Sequence, residues 1–316
     1  MVLGLQSPSN RKHVMDATFH TGRTSRPIVE LPTATCDCHV HIFDPQRYPY
    51  GRDRTYTPGP ATAEDLLAFE NTLGVERVVL VQPSGYGTDN RCLVGALKQL
   101  GKARARGVAV IDSTHAEAHE LRTLHACGVR AIRLNLQVKG EQSMDLARSE
   151  LVQSIRVAAS AGWGLQIYAE ANVIGQMGDL LAKAEAPIVL DHFGGIKAKK
   201  GERQPGFETL LALLRDRLVY VKLSAPYRAS HQADYADLKP FAQAFIEAAP
   251  DRVVWASDWP HTGSSTQRSG DLSRIEPFRD IDDGRVLDVL ERWTPNATVR
   301  RRILVENPAQ LYGFDV

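Results

Sequence analysis

Between Cys36 and Val305 the chain alternates eight times between a short apolar run and a longer stretch of helical periodicity. The apolar runs are Cys36–Asp44, Val75–Gln82, Gly107–Ile111, Val129–Leu136, Gly164–Glu170, Ile188–His192, Leu218–Ser224 and Arg252–Ser257. Helical spacing fills the intervals over Thr62–Leu73, Arg91–Ala105, His115–Ala126, Ser149–Ala161, Ile174–Ala184, Phe207–Arg215 and Ala233–Ala248. Val286–Trp293 and Ala297–Val305 close the chain. Runs that are continuous rather than alternating belong to strands buried on both faces, the condition of a parallel sheet. Parallel neighbours need crossovers of helical length, and eight such units close into a barrel. The sequence therefore predicts an α/β fold, a single (β/α)8 TIM barrel over residues 32–316, preceded by an arm over residues 1–31. A doubly wound open sheet is the weaker alternative, since no Gly-x-Gly-x-x-Gly follows an early strand.

Composition narrows the function. A net charge of +1 over 316 residues gives no electrostatic footing for nucleic acid or a membrane surface. No run approaches the length of a membrane span. The first thirty residues are polar and have no apolar core of the kind a secretory signal carries. They read as an arm lying on the domain, and a cytoplasmic protein with a small-molecule partner is expected, its homo-oligomeric state left open. Four unevenly placed cysteines do not form a disulfide framework. Cys36 and Cys38 are expected to face away from the neighbouring histidines and pack as small apolar groups.

Barrel active sites lie at the carboxyl ends of the strands, so the polar residues there matter most. His39 and His41 stand two apart on the first strand and share a face. They can share a divalent metal, polarise a carbonyl directly, or simply be hydrogen-bonded within a half-buried strand. The second strand ends in Gln82 and Ser84, the fourth carries Arg133 and Asn135 with Lys139 beyond, and the fifth offers Gln166, Tyr168 and Glu170. The sixth ends Asp191-His192-Phe193-Gly194, the seventh carries Lys222 and Ser224, and the eighth ends Ser257-Asp258-Trp259-Pro260-His261. Taken singly, His192 reads as a core histidine and Asp258 as a turn cap, while Lys222 can equally snorkel outward past the helices or face the rim. Arg133 is harder to dismiss, because a charge in an apolar central strand is costly without a purpose. His115, His119 and His125 sit on a predicted helix and read as solvated.

Asp37-Cys38-His39-Val40-His41-Ile42-Phe43, Val81-Gln82-Pro83-Ser84-Gly85, Arg130-Ala131-Ile132-Arg133-Leu134-Asn135, Asp191-His192-Phe193-Gly194 and Ser257-Asp258-Trp259-Pro260-His261 together resemble the amidohydrolase superfamily. The likeness is to its amidohydrolase 2 branch of TIM-barrel lactonases, which holds 2-pyrone-4,6-dicarboxylate lactonase, 4-sulfomuconolactone hydrolase and galactarolactone isomerase. The resemblance implies a hydrolase that opens a carboxylated lactone. Asp258 would be the general base, with His39, His41 and His192 polarising the carbonyl. It implies Tyr56, Ser84, Arg133, Lys139 and Tyr168 as substrate contacts. As cofactor it implies none, or one divalent metal (zinc or manganese) held by His39, His41, His192 and Asp258. Arg133 and Tyr168 stand where a binuclear site would need a carbamylated lysine and a histidine. Lys139 replaces a second arginine and Gly263 an asparagine of the pyrone-dicarboxylate enzyme, and a lysine cannot make an arginine's bidentate contact. A metal-dependent decarboxylase of aromatic acids and a lactone isomerase are the alternatives on the same barrel.

Overall fold

The computed structural model describes residues 24–136, 143–263 and 270–315. Eight strands pair in parallel and in sequence order: β1 (Cys36–Val40), β2 (Arg77–Val81), β3 (Ala105–Ala109), β4 (Val129–Asn135), β5 (Gly164–Tyr168), β6 (Ile188–Leu190), β7 (Val219–Ser224) and β8 (Val253–Ala256). The ring closes where Val40 bridges Trp259 in parallel. There the His41 amide donates to the Trp259 carbonyl at 2.8 Å and the Asp258 amide to the His39 carbonyl at 3.0 Å. The expected (β/α)8 barrel is present.

The main helices are α1 (Ala63–Leu73), α2 (Arg91–Leu100), α3 (Ala118–Cys127), α4 (Met144–Ala161), α5 (Ala171–Gln176), α6 (Phe207–Asp216), α7 (Lys239–Ala248) and α8 (Asp283–Trp293). Thr62 caps α1 through a reciprocal bond with Asp65, and Gly74 ends it in a left-handed conformation, which costs glycine least. Among the described residues no helix is long and apolar enough to cross a membrane.

Side-chain alternation sorts the apolar residues into two layers. Val78, Leu80, Ile132, Leu165, Val221, Val253 and Trp255 pack outward against the helices. Val79, Val81, Val108, Ala131, Val189, Tyr220 and Val254 fill the lumen with Cys36 and Cys38. Tyr312 and Phe314 join this inner cluster and stopper the barrel's amino end. Arg106 and Arg77 clamp the stopper, their guanidinium carbons 4.4 and 5.3 Å from the Phe314 ring centre. Each also donates to a backbone carbonyl there, Arg106 to Gly313 and Arg77 to Asp315.

Several sequence expectations are corrected or settled. β3 starts at Ala105 rather than Gly107, because Arg106 looks like a helix-end charge but belongs to the clamp. α7 starts at Lys239 rather than Ala233, with Pro240 in the first turn where its fixed φ and missing N–H cost nothing. Lys222 does not snorkel outward; it is fully buried in the lumen.

Candidate active site

The site begins with an irregularity in β1. Asp37 pairs with Val78 and Val40 with Leu80, so β1 spends one residue more than β2 over the same interval. A bulge of this kind re-aims side chains at a barrel rim. Here it turns both Cys38 and His39 into the lumen, while Asp37 stays outside. Asp37 ties β1 to β8, its Oδ1 accepting from the amides of His39 at 3.0 Å and Ser257 at 3.1 Å. The expectation that Cys36 and Cys38 face away from the histidines is therefore wrong. They pack as apolar groups, but beneath the histidines, with sulfurs 3.9 Å apart.

His39 and His41 still converge, their Nε2 atoms 3.2 Å apart. His41 Nδ1 lies 2.8 Å from the Val81 carbonyl, which only accepts, so this nitrogen carries the hydrogen and His41 Nε2 presents a lone pair. His39 Nδ1 stands between an acceptor, Asp191 Oδ1 at 3.2 Å, and a donor, Lys222 Nζ at 3.3 Å. The short approach of the two Nε2 atoms suits either a hydrogen donated from His39 to His41 or a cation shared by both. Burial lowers the pKa of His39 well below the usual imidazole value, and burial with the nearby Arg133 lowers that of His41 to about 4.

Behind His39 sits a closed polar network. Lys222 Nζ donates to Gln166 Oε1 at 2.7 Å and pairs with Asp191 Oδ1 at 3.2 Å, while Gln166 Nε2 donates to Asp191 Oδ2 at 2.9 Å. Burial alone would raise Asp191, but the Lys222 ammonium and His39 hold it well below the carboxylate range. The next residue, His192, has φ of 49°, a left-handed conformation uncommon outside glycine. It places Nδ1 2.8 Å from Ser224 Oγ and Nε2 toward the centre. Gly195, two residues beyond Phe193, is required: a Cβ there would lie 2.0 Å from the Ala169 carbonyl.

Asp258 completes the ring from β8, also left-handed with φ of 70°. Its Oδ1 stands 3.6, 3.7 and 3.7 Å from Nε2 of His39, His41 and His192. Its Oδ2 is held from behind by Arg228 Nε at 2.8 Å and the Tyr227 hydroxyl at 2.7 Å. Burial pushes the Asp258 pKa up, but Arg228 and the three imidazoles outweigh it and keep the carboxylate well below its ordinary value. Strain at consecutive rim positions marks functional sites.

The remaining expected contacts divide. Tyr168 stands edge-on to His192 with ring centres 5.0 Å apart. Arg133 and Ser84 line one cavity of about 400 Å³ over the ends of β2 to β4. Arg133 Nη1 donates to the Gln82 carbonyl at 3.2 Å, and its buried Nε has no partner among the described residues. Tyr56 is buried in the loop after β1, within electrostatic reach of Tyr50. Lys139 lies outside the described residues. Sequence reading missed Tyr227 and Arg228. They follow Ser224 of β7 by three and four residues, and the opening of a strand-to-helix loop is where barrel chemistry is sited.

The amidohydrolase family model matches residues 36–314. This chain belongs to the amidohydrolase family. It is 34% identical over 287 residues to a 4-sulfomuconolactone hydrolase of Rhizobium radiobacter, covering 90% of this chain and 91% of that one. It is 34% identical over 300 residues to a 2-pyrone-4,6-dicarboxylate hydrolase of Comamonas testosteroni, covering 91% and 93%. A solved structure from Acinetobacter baumannii with citric acid bound superposes with a TM-score of 0.75 at 25% identity, covering 89% of this amidohydrolase and all of that chain. The convergent His39, His41 and Asp258 also fit a metal. Two imidazole nitrogens and one carboxylate oxygen, each histidine oriented by a partner on its far nitrogen, suit one divalent ion.

Proposed function

We propose that this amidohydrolase hydrolyses a lactone bearing a carboxylate. One observation carries the reading: Asp258 has one oxygen immobilised by Arg228 and Tyr227 and the other facing three imidazoles across a gap of 3.6–3.7 Å. A water bound beside Asp258 Oδ1 loses its proton to that oxygen as its own oxygen bonds to the lactone carbonyl carbon. The ring C–O bond then breaks, and Asp258 returns the proton to the departing oxygen, leaving a hydroxy acid. The developing oxyanion forms on the side of His39 and His41, where positive charge would stabilise it. A zinc or manganese ion held by His39, His41, His192 and Asp258 would supply Lewis acidity to the carbonyl.

Arg133, with Ser84 beside it, supports an anionic substrate, and Tyr168 closes the wall next to His192. Lys139 is proposed as a second anchor. Relatives named for a sulfonated and a dicarboxylated lactone, and a structural neighbour holding citrate, support the same substrate class. Asp258→Asn is the deciding variant. It should cost at least about a hundredfold in turnover of carboxylated lactones, the usual scale for a lost general base, with the melting temperature held. Near-wild-type turnover would remove Asp258 from the chemistry.

A further inference from the structure

Behind the base lies a second chain of polar groups that reaches out of the barrel. Asp283, the first residue of α8, is buried, and its Oδ2 lies 2.7 Å from His261 Nε2. His261 Nδ1 is 3.4 Å from the Tyr227 hydroxyl, which sits 2.7 Å from Asp258 Oδ2. His261 is itself buried, with φ of 67°.

The lengths set the polarity. Tyr227 has one hydrogen, and the shorter, charge-assisted bond to the Asp258 carboxylate takes it. The phenol oxygen can then only accept from His261, so Nδ1 must carry a hydrogen. Nε2 faces a carboxyl group at 2.7 Å, so a proton lies there too. The Asp283–His261 pair thus holds one proton on each side of the ring, as an imidazolium–carboxylate or its neutral equivalent.

We propose that His261 and Asp283 are positioning residues for Asp258, acting through Tyr227. The Nδ1–H of His261 polarises the phenol, tightens its bond to Oδ2, and leaves Oδ1 as the only oxygen free to face the histidines. This rests on the assignment of Asp258 as the base, but it concerns residues that touch neither substrate nor any ion.

The test is a cycle of Tyr227→Phe, His261→Leu, His261→Asn and the Tyr227→Phe/His261→Leu double variant, assayed on whichever lactone the wild type turns over. His261→Leu should lower kcat about tenfold, the size of one hydrogen bond, with KM within about twofold. His261→Asn, whose amide can donate where Nδ1 did, should recover most of that loss. In the Tyr227→Phe background His261→Leu should add little, since its path to Asp258 is already cut. Multiplicative losses, or equal losses in Leu and Asn variants, would make His261 merely structural and overturn the proposal. A readout that needs no substrate separates this from the lactonase reading. Nitrogen-15 spectra of the imidazoles should show hydrogen on Nδ1 of His261, with a resonance that moves in Tyr227→Phe. An unprotonated or unresponsive Nδ1 overturns the positioning role even if the enzyme hydrolyses lactones, and a protonated, responsive one upholds the hydrogen-bond chain even if it hydrolyses none.

Discussion

A guanidinium on an apolar strand demands a counter-charge, and among the described residues no carboxylate supplies one to Arg133. Its Nη1 donates to the Gln82 carbonyl, its buried Nε has no partner among the described residues, and the side chain lines a cavity whose wall also carries Asp112 and Glu150. A substrate carboxylate is the natural partner. Arg133→Met should therefore cost roughly 1.5–3 kcal/mol of transition-state stabilisation on carboxylated lactones, the range for hydrogen bonds to charged groups. Neutral lactones should be nearly unaffected, and equal losses on both would show that Arg133 is structural. Glu70 poses the opposite problem. It is fully buried on α1 with neither oxygen partnered among the described residues, and burial, together with Asp37 and Asp283, raises its pKa well above the usual value. A carboxyl whose folded pKa is raised binds its proton more tightly folded than unfolded. It therefore costs stability increasingly as pH rises above the unfolded value near 4.5. Glu70→Gln removes that cost, so its melting temperature should exceed the wild type's at pH 8 and converge with it near pH 4.5. A gap that stays constant with pH would show that Glu70 keeps no unusual proton.

At the level of elements, the strands were legible where apolar runs stood between breakers, and the site residues were legible because strand ends point to one rim. His39, His41, His192 and Asp258 meet as their positions suggested. The bulge in β1 was not legible: Cys38 and His39 are adjacent, and strict alternation puts them on opposite faces. Only pairing with β2 reveals the extra residue. Tyr227 and Arg228 were hidden differently, by lying on a single helical turn, Pro226–Ala229, too short to show periodicity, where charge alone cannot tell a surface residue from a clamp on Asp258. Lys222 had two readings of equal merit in the sequence, and the acid that settles it, Asp191, comes from another strand. Of the expected arm over residues 1–31, residues 1–23 lie outside the described residues, and we propose that residues 24–31 stand outside the barrel. The arm's described part is fastened to α8 by the Ser25 amide and hydroxyl on Asp282 and by the Ile28 and Val29 amides on Asp288.

For the molecule as a whole, the two halves of the site come from its first and last strands. The pairing that joins them is thin, a single bridge and two backbone bonds made by His39, His41, Asp258 and Trp259 themselves. Neighbouring strands elsewhere share up to five paired positions. Local opening draws on the least-bonded segment. In a urea titration, catalytic activity should accordingly fall at lower denaturant than helical ellipticity, and coincident transitions would show the β1–β8 junction to be as strong as the rest of the ring. The same junction has a consequence for biosynthesis. β1 leaves the ribosome early with two of its imidazoles, β8 late with the carboxylate, and nothing between them can stand in for the missing partner. With Asp258 as the base we propose, a nascent or C-terminally truncated chain that ends before β8 holds its histidines without it, and catalysis is then the last property the polypeptide acquires.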